Sequence, residues 1–179
     1  YFILFAKEGI YFLSGTAYTN SILPMQIIMP TLLFIGITNI LGIQILVPLG
    51  KEKIVLYSEI IGGIVDIILN AILIPKYASS GAAVGTLVAE FAVLIVQYLA
   101  LRNEVSDTFK QIHYLRILIA LGLGTGVSLW TKGLELSYFL RLVISAILFF
   151  GIYGLYLLLR KEELIVEIWN MIFGKINKK

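Results

Sequence analysis

Six residues in the middle of the chain carry side chains able to bind or move an ion or a polar solute: Glu59, Asp66, Asn70, Thr86, Glu90 and Gln97. At about 100° per residue, Glu59, Asp66 and Asn70 fall within about 40° of one another on a helix, and so do Thr86, Glu90 and Gln97. Each trio forms a polar stripe on an otherwise apolar cylinder. Asp66 lies nine residues before Pro75, and Glu90 nine residues after Gly81. At about 1.5 Å per residue, both sit roughly 14 Å from the loop joining the two runs. A carboxylate at that depth costs on the order of 3 kcal/mol or more if it faces lipid, so it is expected to face a bundle interior or a wet cavity. Plainer readings stay open: Asp66 hydrogen-bonded to a neighbouring helix, and Glu90 protonated and structural. Glu59, about two turns from the opposite surface, can reach that surface.

Composition dictates which elements must hold these groups. The chain is 59% hydrophobic and 14% charged, against about 45–50% and about 25% in soluble domains. Lipid must therefore be the solvent for much of it. A helix needs roughly 20 apolar residues to cross the hydrocarbon. Five stretches meet that need: span A, Ile22–Val47; span B, Ile54–Ile74; span C, Gly81–Leu101; span D, Leu115–Trp130; and span E, Tyr138–Leu159. Residues 1–13 read as the stump of an earlier helix, broken by Lys7 and Glu8. Runs such as "LRLVISAILFFGIYGLYLLL" do not alternate, which excludes strands of a membrane barrel. The expected fold class is an all-α integral membrane protein, a polytopic helical bundle. The chain opens on "YFILFA" without Met or a signal peptide, so it is expected to be a C-terminal piece of a longer protein.

Charge sets an expected orientation. The connections after A and C and the tail after E carry ten Lys and Arg, among them Lys51, Lys53, Arg102 and Arg116; the other side carries Lys7, Lys76, Lys132 and Arg141. Basic loops stay in the cytoplasm, so the C-terminus is expected to be cytoplasmic. In the tail, Leu164, Ile165, Ile168, Trp169, Ile172 and Phe173 share one helical face, which predicts an amphipathic helix on the inner leaflet.

Other features point to packing rather than chemistry. Gly81, Gly85 and Ala89 recur every four residues and let two helix backbones approach. Asn39 and Gln44 lie about 140° apart, so they cannot share a stripe, and helix–helix bridging is the expected role. "GLGTG" in span D follows no strand and is expected to be flexible or close-packed helix, not a phosphate loop. His113 lies near Lys110 and Arg116, a basic cluster at headgroup level. The absence of cysteine excludes disulfides and thiolate metal sites. No metal or cofactor is expected.

Two stretches carry a resemblance: "TNSILPMQIIMPTLLFIGITNILGIQILVPLGKEK" (19–53) and "IIGGIVDIILNAILIPKYASSGAAVGTLVAE" (60–90). Together they resemble the C-terminal half of bacterial polysaccharide-biosynthesis flippases of the multidrug/oligosaccharidyl-lipid/polysaccharide exporter superfamily. The resemblance covers residues 15–101 well and 102–179 loosely. It departs at Ala78, where the family usually has Gly after "PKY". It implies part of the second lobe of a two-lobed transporter of about twelve to fourteen helices. It also implies movement of an undecaprenyl-pyrophosphate-linked oligosaccharide by alternating access across the bacterial cytoplasmic membrane, in O-antigen or exopolysaccharide synthesis. Residues 1–111 would hold the end of one helix and three helices of that lobe. Residues 112–160 would hold two additional helices, and 161–179 the basic tail. The implied partners are the lipid-linked oligosaccharide, membrane lipids, the missing N-terminal lobe and a polysaccharide polymerase, with no nucleic acid.

The site residues then become substrate-path or ion-coupling groups. The acids would repel a pyrophosphate, so they would bind sugar hydroxyls or carry a coupling proton or Na⁺. Two rivals share the superfamily: a multidrug/cation antiporter and a lipid II flippase. A membrane-embedded glycan enzyme is disfavoured because the outer loops are too short to build a catalytic pocket.

Overall fold

The computed structural model describes residues 1–111 and 113–160. Helix α1, Ala6–Ser14, stops at Gly15, whose φ of +82° suits a residue without Cβ. A 3₁₀ turn, Thr16–Ser21, leads into α2, Ile22–Ile28, and α3, Thr31–Thr38. Pro30 separates α2 from α3, because it has no N–H to continue the ladder. The chain then widens into a π-helix, Asn39–Leu46. There Val47 N donates to Gly42 O at 3.0 Å, and Lys51 N to Leu46 O at 2.9 Å. Helices α4 (Glu52–Gln111), α5 (Tyr114–Trp130) and α6 (Tyr138–Leu159) follow. Ser137 caps α6 by accepting from Leu140 N. No strand occurs among the described residues.

Four helical stretches are long and apolar enough to cross a membrane: Thr16–Leu46, Glu52–Ser106, Tyr114–Gly133 and Tyr138–Leu159. Five spans were expected; B and C both lie within α4. In no stretch is more than 28% of the most apolar window buried inside the protein. Most of the apolar side chains therefore face outward, which water would penalise and lipid would not. The fold class is all-α, with the makeup of a polytopic membrane protein.

Among the described residues, internal contacts form two units, Phe2–Gln111 and Tyr1 with residues 113–160. The first is built on α4, which folds back on itself. At Ala78, φ is 48° and ψ −127°, outside the helical region, and the limbs 52–77 and 79–111 run antiparallel. Leu73 meets Gly81, Asn70 meets Gly85, Gly62 meets Val93, and Ser58 meets Gln97. Pro75 lies just before the reversal. At the other end of the hairpin, Leu41 and Leu46 of the π-helix pack with Leu101 and Val105 into a closed apolar cluster. Phe109 meets Tyr98 edge-on, with centroids 5.8 Å apart.

The second unit is a hairpin of α5 and α6. Gly124 faces Phe149, and Tyr1, Phe149, Phe150 and Tyr153 form an aromatic cluster. "GLGTG" is ordinary helix: Gly124 is close-packed, and Gly122 and Gly126 face open space. Residues 1–13 include a true helix, in which Lys7 is exposed and Glu8 buried. The expected amphipathic tail, 161–179, lies outside the described residues.

Candidate functional site

The seam between the two limbs of α4 is set by every fourth residue. On the second limb Gly81, Gly85, Ala89, Val93, Gln97 and Leu101 are all buried. On the first limb Ser58 and Gly62 are buried, and Asp66 and Asn70 continue the same line half-buried. The small residues allow the approach. A Cβ at Gly81 would strike the backbone carbonyl of Leu73, one at Gly62 would strike Val93, and one at Gly85 would strike Asn70 Oδ1. Without an aqueous driving force between helices, such close contact is what holds a hairpin together in lipid.

Polar groups gather where the seam runs through glycine. Thr86 Oγ1 donates to Asp66 Oδ1 at 3.4 Å, across the hairpin. Asn70 Oδ1 is buried and accepts no hydrogen bond, although it lies against Gly85. Glu90 is half-buried one position past Ala89, within reach of the charges of Asp66 and Glu59. Lys51 Nζ bridges Glu104 at 3.0 Å, at the hairpin end far from Ala78. Among the described residues no base pairs with Asp66, Glu59 or Glu90. The arrangement is thus a set of oxygens from Asp66, Thr86 and Asn70 midway along an apolar hairpin, with the Glu90 carboxyl on the same limb as Thr86. It can attract a cation, hold a proton, or accept from hydroxyls. No group of three His, Asp or Glu spaced to hold a metal ion occurs among the described residues.

The structure does not join all six sequence-derived residues. Asp66, Asn70 and Thr86 converge; Glu90 is half-buried one turn further along the second limb, where the charges of Glu59 and Asp66 both reach it. Glu59 is exposed: a line of every fourth residue drifts about 40° per step, so a stripe drawn straight along the limb leaves the seam there. Gln97 is 1% exposed and belongs to a separate buried junction near the far end. Its Nε2 donates to Ser58 Oγ at 3.0 Å, and Ser58 donates to Val55 O at 2.7 Å. Its amide also lies against Gly42 of the π-helix, and its Oε1 is buried without a partner.

Ser58 was not singled out from the sequence. Its signal was its position: Ser58 and Gln97 stand 20 and 19 residues from Ala78, so a hairpin folded there makes them opposite. The bridging role expected of Asn39 and Gln44 is corrected. Both are exposed, and neither bonds another side chain among the described residues. The buried polar groups of that stretch are Thr31 and Thr38, whose hydroxyls donate to Ile28 O and Ile35 O one turn back.

No protein-family model, no curated protein and no solved structure matches this chain.

Proposed function

We propose that the chain supplies part of the second lobe of a transporter that flips undecaprenyl-pyrophosphate-linked oligosaccharides by alternating access across the bacterial cytoplasmic membrane, its C-terminus cytoplasmic. The observation that carries the reading is the Asp66–Thr86 contact, with Asn70 beside it and Glu90 half-buried on the same limb as Thr86, midway along an apolar hairpin. A sugar-pyrophosphate headgroup needs a polar path through hydrocarbon. This line of oxygens supports one wall of such a path, where hydroxyls or a coupling proton or Na⁺ would be held. The two stretches resembling polysaccharide flippases, 19–53 and 60–90, include both limbs of the hairpin as far as Glu90. On this reading the chain works with a first lobe, which brings the bases that a pyrophosphate requires.

The uncompensated acids favour a second reading, a multidrug/cation antiporter. One experiment separates the two. Asp66→Asn and Glu90→Gln are placed in the full-length transporter, and surface polymer and drug susceptibility are measured together. Loss of polymer with unchanged susceptibility supports the flippase. Raised susceptibility with normal polymer supports the antiporter. Normal behaviour of both variants in both assays removes the transport role of the seam.

A further inference from the structure

An apolar cleft opens on the first unit, away from the polar seam. Ile37 of α3 forms one wall, and Phe91, Leu94, Ile95 and Tyr98 of the second limb form the other, with Phe109 beside Tyr98. It is open to one side, measures about 220 Å³ and is lined by apolar surface. A helix roughly 10 Å across does not fit such a space, whereas a single hydrocarbon chain does. Phe91, Ile95, Tyr98 and Arg102 follow one another at spacings of four, three and four. They therefore lie within about 40° of a common line on the limb, and Arg102 stands one turn beyond Tyr98. Arg102 is exposed. The nearby carboxylate of Glu104 is taken by Lys51 at 3.0 Å, and Arg102 pairs with no acid among the described residues. An apolar slot thus ends at an aromatic ring carrying a hydroxyl, followed by an uncommitted guanidinium.

We propose that this cleft holds one acyl chain of an anionic membrane phospholipid, with its phosphate on Arg102. The charge favours an anionic lipid: a guanidinium binds phosphate through paired N–H donors, and a zwitterionic headgroup brings its own cation into competition. With the phosphate on Arg102, the Tyr98 hydroxyl one turn away falls where an acyl chain meets its headgroup, a usual position of such rings in membrane proteins.

The test uses the 179-residue chain in detergent. It is incubated with equal amounts of phosphatidylglycerol and phosphatidylcholine bearing identical acyl chains, and the retained lipid is read by native mass spectrometry. Phosphatidylglycerol should be retained roughly tenfold over phosphatidylcholine, the factor expected of one charge-assisted contact. Arg102→Gln should bring the two to parity. Ile95→Trp, which fills the cleft, should reduce retention of both, with helix content checked by circular dichroism. Lys53→Ala, outside the cleft, should change neither.

Equal retention by the unaltered chain, or a preference that survives Arg102→Gln, overturns the proposal. It is also overturned if undecaprenyl phosphate displaces phosphatidylglycerol at much lower concentration, which assigns the cleft to a prenyl lipid. A dimer that Ile95→Trp converts to monomer assigns it to a second copy of the chain.

Discussion

Two antiparallel helical hairpins among the described residues treat their polar side chains in different ways. In the α4 hairpin, polar groups reach across: Thr86 to Asp66 at 3.4 Å, and Gln97 to Ser58 at 3.0 Å. In the α5–α6 hairpin, hydroxyls return to their own helix. Ser128 donates to Thr125 O at 3.0 Å and Thr131 to Ser128 O at 2.7 Å; Ser145 lies 3.1 Å from Leu142 O and also shares a hydrogen bond with the Tyr1 hydroxyl at 2.9 Å. A hydroxyl bonded only one turn back is satisfied before any partner arrives and sets no register; Ser58 differs because it also accepts from Gln97 across the seam. A group that bonds across requires a particular partner at a particular height. The contrast separates polar residues that specify the hairpin from those that merely tolerate lipid.

The sharpest way to break the comparison is through the glycines. A Cβ at Gly81 meets the backbone of Leu73, which cannot turn aside, while Gly122 in α5 faces open space. Gly81→Ala should destabilise the first unit by about 3 kcal/mol, as overpacking does. Gly122→Ala should stabilise α5 by up to about 1 kcal/mol through helix propensity. Denaturant unfolding in detergent gives both values. Equal effects at the two positions would mean that the α4 seam is no tighter than ordinary helix surface.

How far this difference could be read in advance depends on the residue. The apolar runs and the Pro75–Gly81 break are enough to expect two antiparallel limbs, because few other elements satisfy the backbone in lipid. The convergence of Asp66, Asn70 and Thr86 follows from helical spacing. The exposure of Glu59 does not, because the drift of the seam depends on how closely the limbs approach. The approach of Gly42 to the Ser58–Gln97 pair was also hidden. It depends on the widened turn at Asn39–Leu46, where uniform hydrophobicity leaves no period to show that the backbone changes pitch.

That junction supplies the next test. Ser58→Ala leaves the whole Gln97 amide buried without a partner and should cost about 1–2 kcal/mol. Gln97→Leu removes donor and acceptor together, including the already unpartnered Oε1, and should cost less than about 1 kcal/mol. The ordering is what matters: the smaller chemical change should do the greater harm. If Gln97→Leu proves the worse of the two in thermal unfolding, the amide contributes more than the bond to Ser58. A smaller effect, of opposite sign, is expected at the reversal. Ala78 holds φ 48° and ψ −127°, a region that only Gly enters without strain. Ala78→Gly should therefore stabilise the hairpin by about 1 kcal/mol. A loss of stability there would show that the methyl group is needed in the turn.

The smallest expected change tests the other half of the contrast. Ser128 is fully buried, yet its hydroxyl donates only to Thr125 O on its own helix. Ser128→Ala removes a donor and strands nothing, since a helical carbonyl keeps its backbone partner. Alanine is also the better helix former, by roughly 0.5 kcal/mol. Loss of the bond and gain in propensity nearly cancel, so unfolding should shift by no more than about 0.5 kcal/mol in either direction. Ser58→Ala makes the same chemical change at an equally buried serine, differing in that Ser58 also accepts from across the seam. If the two variants lose equal stability, burial of the hydroxyl sets the cost, and the cross-hairpin bond contributes nothing of its own.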